Sequence, residues 1–91
     1  MATHTLTAAA PSQTFTLAED GTVQVIISSA AIFDGATFGL EYETATTDVY
    51  VPIPSTKSAE PYSRIFTFKA GKIKLVLGNT SAKSSVKVDI K

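Results

Sequence analysis

Apolar and polar side chains alternate in short stretches along this 91-residue chain. A period of two sends successive side chains to opposite faces of a pleated strand. Thr14–Ala18 sets Phe15 and Leu17 against Thr14 and Thr16, and Thr22–Ser28 sets Val23, Val25 and Ile27 against Thr22, Gln24 and Ser28. Ile26 breaks that second alternation, so both faces of the strand are expected to meet another surface. Glu19-Asp20-Gly21 between the two segments reads as a tight turn, and the pair as a hairpin. Asp34-Gly35 is a further turn, followed by Thr37–Glu43 with Phe38, Leu40 and Tyr42 facing in and Gly39, Glu41 and Glu43 facing out.

Val49–Ile53 alternates with Val49, Val51 and Ile53 on one face and Tyr50 on the other. Pro52 and Pro54 cannot donate ladder hydrogen bonds, which marks this segment as an edge or a strand end. After a loop over Ser55–Pro61, the strands Ser63–Phe68, Lys72–Leu77 and Ser85–Lys91 read as a closing meander. Their inward rows are Arg64, Phe66 and Phe68, then Ile73, Leu75 and Leu77, then Val86, Val88 and Ile90. Val25, Leu40, Phe66, Leu75 and Val88 are therefore expected in the core.

Thirteen threonines and many Val, Ile and aromatic residues favour strands over helices. No window sustains a helical apolar period for three turns. Seven strands, eight if Thr3–Ala8 forms one, are too many for one flat sheet of this size. The expectation is all-β: a small antiparallel β-sandwich, Ig-like or jelly-roll-like, with a small barrel as the alternative way to limit edges. Residues 1–12 are expected to form an N-terminal arm and 13–91 a single sandwich domain.

Charge changes this picture by being sorted along the chain. Residues 1–48 hold six acids and no Lys or Arg. Residues 49–91 hold all eight basic residues against Glu60 and Asp89, so a formal zero divides into −6 and +6. Such a chain can pair its halves internally or between neighbouring copies. A domain this small buries only about 60–65% of its unfolded surface. With no cysteine, neither disulfides nor thiolate metal sites can supplement the core, which leaves self-association or docking on a partner. The N-terminus has no basic residue or long apolar run of the signal-peptide kind, and the longest strongly apolar run is Val25-Ile26-Ile27, so synthesis in the cytoplasm and no membrane span are expected.

Candidate chemistry is sparse. Nucleophilic catalysis needs a base within reach of the nucleophile, and the single imidazole, His4, lies in the expected arm. Glu41 and Glu43 fall two apart on one strand face, where a solvated outer row is expected rather than carboxylates across a cleft. Glu19-Asp20-Gly21 lacks the alternating ligands of a calcium loop, and the glycines are too dispersed to cradle phosphate. No catalytic, cofactor or metal residues are assigned, and no enzymatic activity is expected. Lys72 and Lys74 share one outer face and Lys87 and Lys91 another; paired, those strands would form a positive patch, but zero net charge argues against nucleic acid. Ile32 and Phe33 before the Asp34-Gly35 turn, with Tyr50 and Tyr62 flanking the proline-rich loop, are the candidate partner-binding residues. Each could equally plug an open end of the sandwich.

Three runs carry a resemblance: Thr22–Ser28; Phe33-Asp34-Gly35-Ala36-Thr37-Phe38-Gly39-Leu40-Glu41-Tyr42; and Tyr50-Val51-Pro52-Ile53-Pro54. Together with Gly71–Leu77 they resemble small virion proteins of tailed bacteriophages, in which "G-A-T-x-x-L-E-Y" is followed by an aromatic-Val-Pro motif and a "G-K-I-K-L-x-L" strand. The resemblance spans most of residues 13–91, with Tyr50 where that pattern often has Trp. It implies a structural capsid decoration (cement) protein located in the virion, bound to the major capsid protein or another virion lattice protein, and oligomeric, for instance a trimer. The alternatives are a tail or head–tail accessory protein, or a small carbohydrate- or nucleic-acid-binding β module, for which Tyr50 is the fair glycan-stacking candidate.

Overall fold

The computed structural model describes residues 2–91 and contains eight strands, with no helix among the described residues. They are β1 (Ala2–Thr7), β2 (Ser12–Leu17), β3 (Gly21–Ile27), β4 (Thr37–Glu43), β5 (Tyr50–Pro52), β6 (Ser63–Phe68), β7 (Gly71–Gly78) and β8 (Ser85–Ile90). Two four-stranded antiparallel sheets pack face to face, one ordered β1-β8-β3-β6 and the other β2-β7-β4-β5. The strand positions follow the alternation closely, and Val25, Leu40, Leu75 and Val88 are buried between the sheets. Phe66 departs from expectation. It is half-buried near the sheet edge, where β6 has a neighbour on one side only.

The connectivity corrects the hairpin and meander readings. β2 and β3 lie in different sheets, and β6, β7 and β8 alternate between sheets instead of pairing in sequence. Only β4 and β5 pair as consecutive strands, through Glu41 and Pro52 to Glu43 and Tyr50. The reason is that a strand with one apolar row satisfies a hairpin and a sheet-crossing arch equally well. In the first case the two rows lie side by side, and in the second they face one another across the core.

The arches stack in pairs. The β2–β3 arch lies on the β6–β7 arch, because Leu17 pairs with Gly71 and Gly21 with Phe68. Asp20 clamps them: its carboxylate accepts the Ala70 backbone N–H at 2.7 Å and faces Lys69 Nζ at 3.3 Å. Both contacts favour the charged carboxylate and hold Asp20 below its usual range, the backbone bond contributing most. At the opposite end the β3–β4 and β7–β8 arches meet. Asn79 Nδ2 donates to the Gly35 carbonyl at 3.0 Å, Ser84 Oγ to the Phe33 carbonyl at 2.9 Å, and Ser81 Oγ to the Asp34 carboxylate. Asp34 and Asn79 adopt positive φ there (46° and 55°), a conformation their short polar side chains tolerate.

Most of residues 1–12, read as an arm, is strand. β1 pairs with β8 from Ala2–Ile90 to Thr7–Ser85, and Leu6 is fully enclosed.

Candidate functional site

Sheet order places β1 and β2 on one flank of the sandwich and β5 and β6 on the other. The β5/β6 flank holds the densest aromatic packing in the molecule. Tyr62 meets Phe38 and Phe66 edge-on at centroid distances of 6.3 and 6.2 Å, Phe66 stacks on Phe68 at 5.5 Å, and Tyr42 meets Phe68 edge-on at 5.8 Å.

The loop between β5 and β6 seals the margin of β4 on this side. Ile53 N–H donates to the Leu40 carbonyl, and Ser58 exchanges two 2.8 Å backbone bonds with Phe38. Between those points Thr56, 1% exposed, replaces the missing strand: its hydroxyl accepts the Leu40 N–H at 3.1 Å and donates to the Ile53 carbonyl at 2.8 Å. No buried backbone donor is left unpaired at Leu40, which is the condition for running a loop over a core.

The four sequence-nominated residues are not brought together. Tyr62 is part of this seal, its hydroxyl donating to the Thr56 carbonyl at 2.8 Å and its ring lying 4.7 Å beneath the Arg64 guanidinium. Burial pushes its phenol up to about 12, against the opposing pull of Arg64. Phe33 packs against the core at the opposite end, beneath the Asp34-Gly35 turn. Ile32 is 53% exposed and exchanges two backbone bonds with Ser85. Tyr50 stands on the outer face of the β2-β7-β4-β5 sheet with Lys74 Nζ 4.9 Å from its ring centroid.

The residues that stand out instead are Val49, Val51 and Ile65. Among the described residues four large apolar side chains are strongly exposed, Ile32 and these three, and the three share the β5/β6 flank. Two sequence signals pointed there: the prolines marked 49–53 as an edge, and Ile65 is apolar on the side opposite Phe66 and Phe68. Alternation set Val49 and Val51 on one face of their segment; the ladder pairs Val51 with Tyr42, on the inner side of the sheet, yet at this edge both valines stay about half exposed.

The backbone of β6 is open on this flank. Ile27 N–H donates to the Tyr62 carbonyl, so the alternation of an antiparallel ladder directs Arg64, Phe66 and Phe68 toward β3. Ser63, Ile65 and Thr67 point their N–H and C=O groups away from it. β5 by contrast is three residues long and includes Pro52.

On the outer face of the β2-β7-β4-β5 sheet lies a shallow groove of about 330 Å³. Its floor is the Gly39–Val76 cross-strand pair and its margins are Glu41, Pro52, Lys57 and Asn79. Lys57 runs over Gly39, its Cγ 3.7 Å from where a β-carbon would stand. Glu41 is paired across the ladder with Lys74, so acidic β4 lies beside basic β7. Together with the Asp20–Lys69 bridge, this matches part of the sorted charge within the chain. Lys72 and Lys74 are on this sheet and Lys87 on the other, so the two lysine pairs form no common patch.

At the β1/β2 flank, His4 is buried and its Nδ1 lies 2.8 Å from Gln13 Oε1, while Gln13 Nε2 donates to the Thr5 carbonyl. That use of the Gln13 amide leaves Oε1 as acceptor and makes His4 Nδ1 the donor. His4 Nε2 has no partner. Among the described residues no three His, Cys, Asp or Glu side chains converge, and no helix is long and apolar enough to cross a membrane.

No protein-family model matches the chain, and no curated protein matches it in sequence.

Proposed function

We propose that this chain is a non-enzymatic structural protein of a tailed-phage virion that binds and stabilises the capsid lattice, and that the β5/β6 flank is its contact surface. One observation carries the reading: of the four large apolar side chains left strongly exposed among the described residues, three, Val49, Val51 and Ile65, belong to the β5/β6 flank. Large exposed apolar residues concentrated on one side of a molecule are candidates for an interaction site. The aromatic-Val-Pro motif, part of the resemblance to decoration proteins, lies on that flank as Tyr50-Val51-Pro52, at a sheet edge rather than in the core.

The test is to image and sediment particles assembled by the genome encoding the chain, with the parent protein and with Val51→Lys. The reading expects the parent at regular positions on the head and loss of Val51→Lys from it with the fold intact. Parent protein absent from the head, or equal occupancy by the variant, contradicts it.

A further inference from the structure

We infer that β6 is a pairing edge for a second copy of this chain, joined antiparallel about a two-fold axis at Ile65. The inference deepens the reading of the β5/β6 flank as the contact side and rests on it.

An open strand edge invites another strand, and proteins usually guard theirs with charge, proline, short length or a cover. The four edges here differ in these respects. β5 is short and carries Pro52. The outward Thr5 carbonyl of β1 is capped by Gln13 Nε2, and Thr7 N–H turns back to the Ala10 carbonyl. β2 leaves the backbone of Ser12, Thr14 and Thr16 outward, since the Leu77–Pro11 bond fixes its ladder phase, and these side chains are polar. β6 leaves Ser63, Ile65 and Thr67 outward, and Ile65 is the most exposed large apolar residue among those described, at 69%. None of the three is charged.

The register selects a second copy. With Ile65 on the axis, Ile65 faces its own symmetry mate, Ser63 faces Thr67, and Arg64 faces Phe66. All outward-pointing residues then meet outward-pointing residues, so each free N–H on one strand finds a carbonyl on the other. No like charges oppose one another. Arg64 is brought against an aromatic ring, which attracts a guanidinium. Beyond the strands, Glu60 at one end comes beside Lys69 at the other end of the second copy, which makes the pair charge-complementary as well as self-complementary. An isologous pair of this kind closes on itself and does not propagate.

The experiment uses the whole chain, whose lack of cysteine makes single-cysteine variants unambiguous. Sedimentation across a range of concentrations is expected to show monomer passing to dimer. Ile65→Lys should raise the dissociation constant by about tenfold or more, with an unchanged melting temperature at concentrations where the parent is monomeric, because Ile65 is exposed in the monomer. Under mild oxidation Ile65→Cys should give a disulfide dimer and Thr14→Cys should not. A parent that stays monomeric overturns the inference. So does an Ile65→Lys variant that dimerises like the parent, or a mixture of the Ile65→Cys and Thr14→Cys variants that cross-links one to the other. Lattice binding by a strictly monomeric chain would overturn this pairing alone, whereas a dimer absent from the virion head would overturn the proposed function alone.

Discussion

At the β1/β2 flank a polar bridge spans the two sheets, with Gln13 holding His4 Nδ1 and the Thr5 carbonyl. At the β5/β6 flank the same gap is filled by Phe38, Tyr62, Phe66 and Phe68, and the loop over it is locked by Thr56. The first solution closes a margin with few apolar contacts and leaves one imidazole nitrogen unpartnered. The second makes a rigid wall of rings and leaves apolar surface beyond it. The lesson is that an edge can be well packed and still exposed to a partner, because aromatic filling fixes the wall without covering the outer strand.

Substitutions and titrations probe that contrast, from the largest effect to the smallest. Phe38→Ala should cost about 3–5 kcal/mol, because Phe38 is fully enclosed and anchors the ring cluster. Denaturant unfolding measures it, and a loss under about 1 kcal/mol, below the usual range for a buried ring, would mean that the aromatic wall is not structural. Thr56→Val keeps the shape of the side chain but leaves the buried Leu40 N–H without an acceptor, at about 1–3 kcal/mol. On the other flank, Gln13→Leu should cost about 1 kcal/mol and speed amide exchange in β1 more than in β6. A larger loss than that of Thr56→Val would reverse the ranking of the two flanks.

The two shifted groups give pH tests of opposite sign. Tyr62 is raised from its ordinary value of 10.0 to about 12 in the folded protein. The native state therefore binds more protons than the unfolded state in that interval, and stability falls as pH rises from about 10 through about 12. Tyr62→Phe should remove that part of the alkaline loss, and the late phenolate absorbance with it. Asp20 is lowered, so its stabilisation is present above the unfolded carboxylate value of about 3.9 and is lost as pH falls through the folded value. Asp20→Asn should be the weaker variant at neutral pH, and the difference should vanish in strong acid. Its exposed position makes this the smallest effect of the series.

Strand positions were legible because one-sided burial imposes a period of two, and Leu40, Leu75 and Val88 followed it into the core. Pairing was not legible, because Leu17 and Val23 present the same pattern whether their strands lie side by side or face each other across the sandwich. The contact that joins the two arches, Asp20 to Ala70, links residues 50 positions apart. His4 was misplaced for a related reason: Thr-His-Thr-Leu carries a polar row and only one aliphatic residue, and its burial depends on Gln13 supplying a partner. The exposed apolar residues were half legible. Exposed aromatics near the proline loop led to the β5/β6 flank through Tyr50 and Tyr62, but Tyr62 is held by the Thr56 carbonyl, and the exposed apolar surface there belongs to Val49, Val51 and Ile65.

Amide hydrogen exchange at the two open edges tests the central claim most directly. Ser63, Ile65 and Thr67 on β6 and Ser12, Thr14 and Thr16 on β2 all direct their N–H groups away from their own sheets. As the protein is concentrated, exchange at the β6 amides should slow while exchange at the β2 amides stays unchanged. Protection gained at β2 instead, or at neither edge, would contradict the pairing of β6 between copies of the chain.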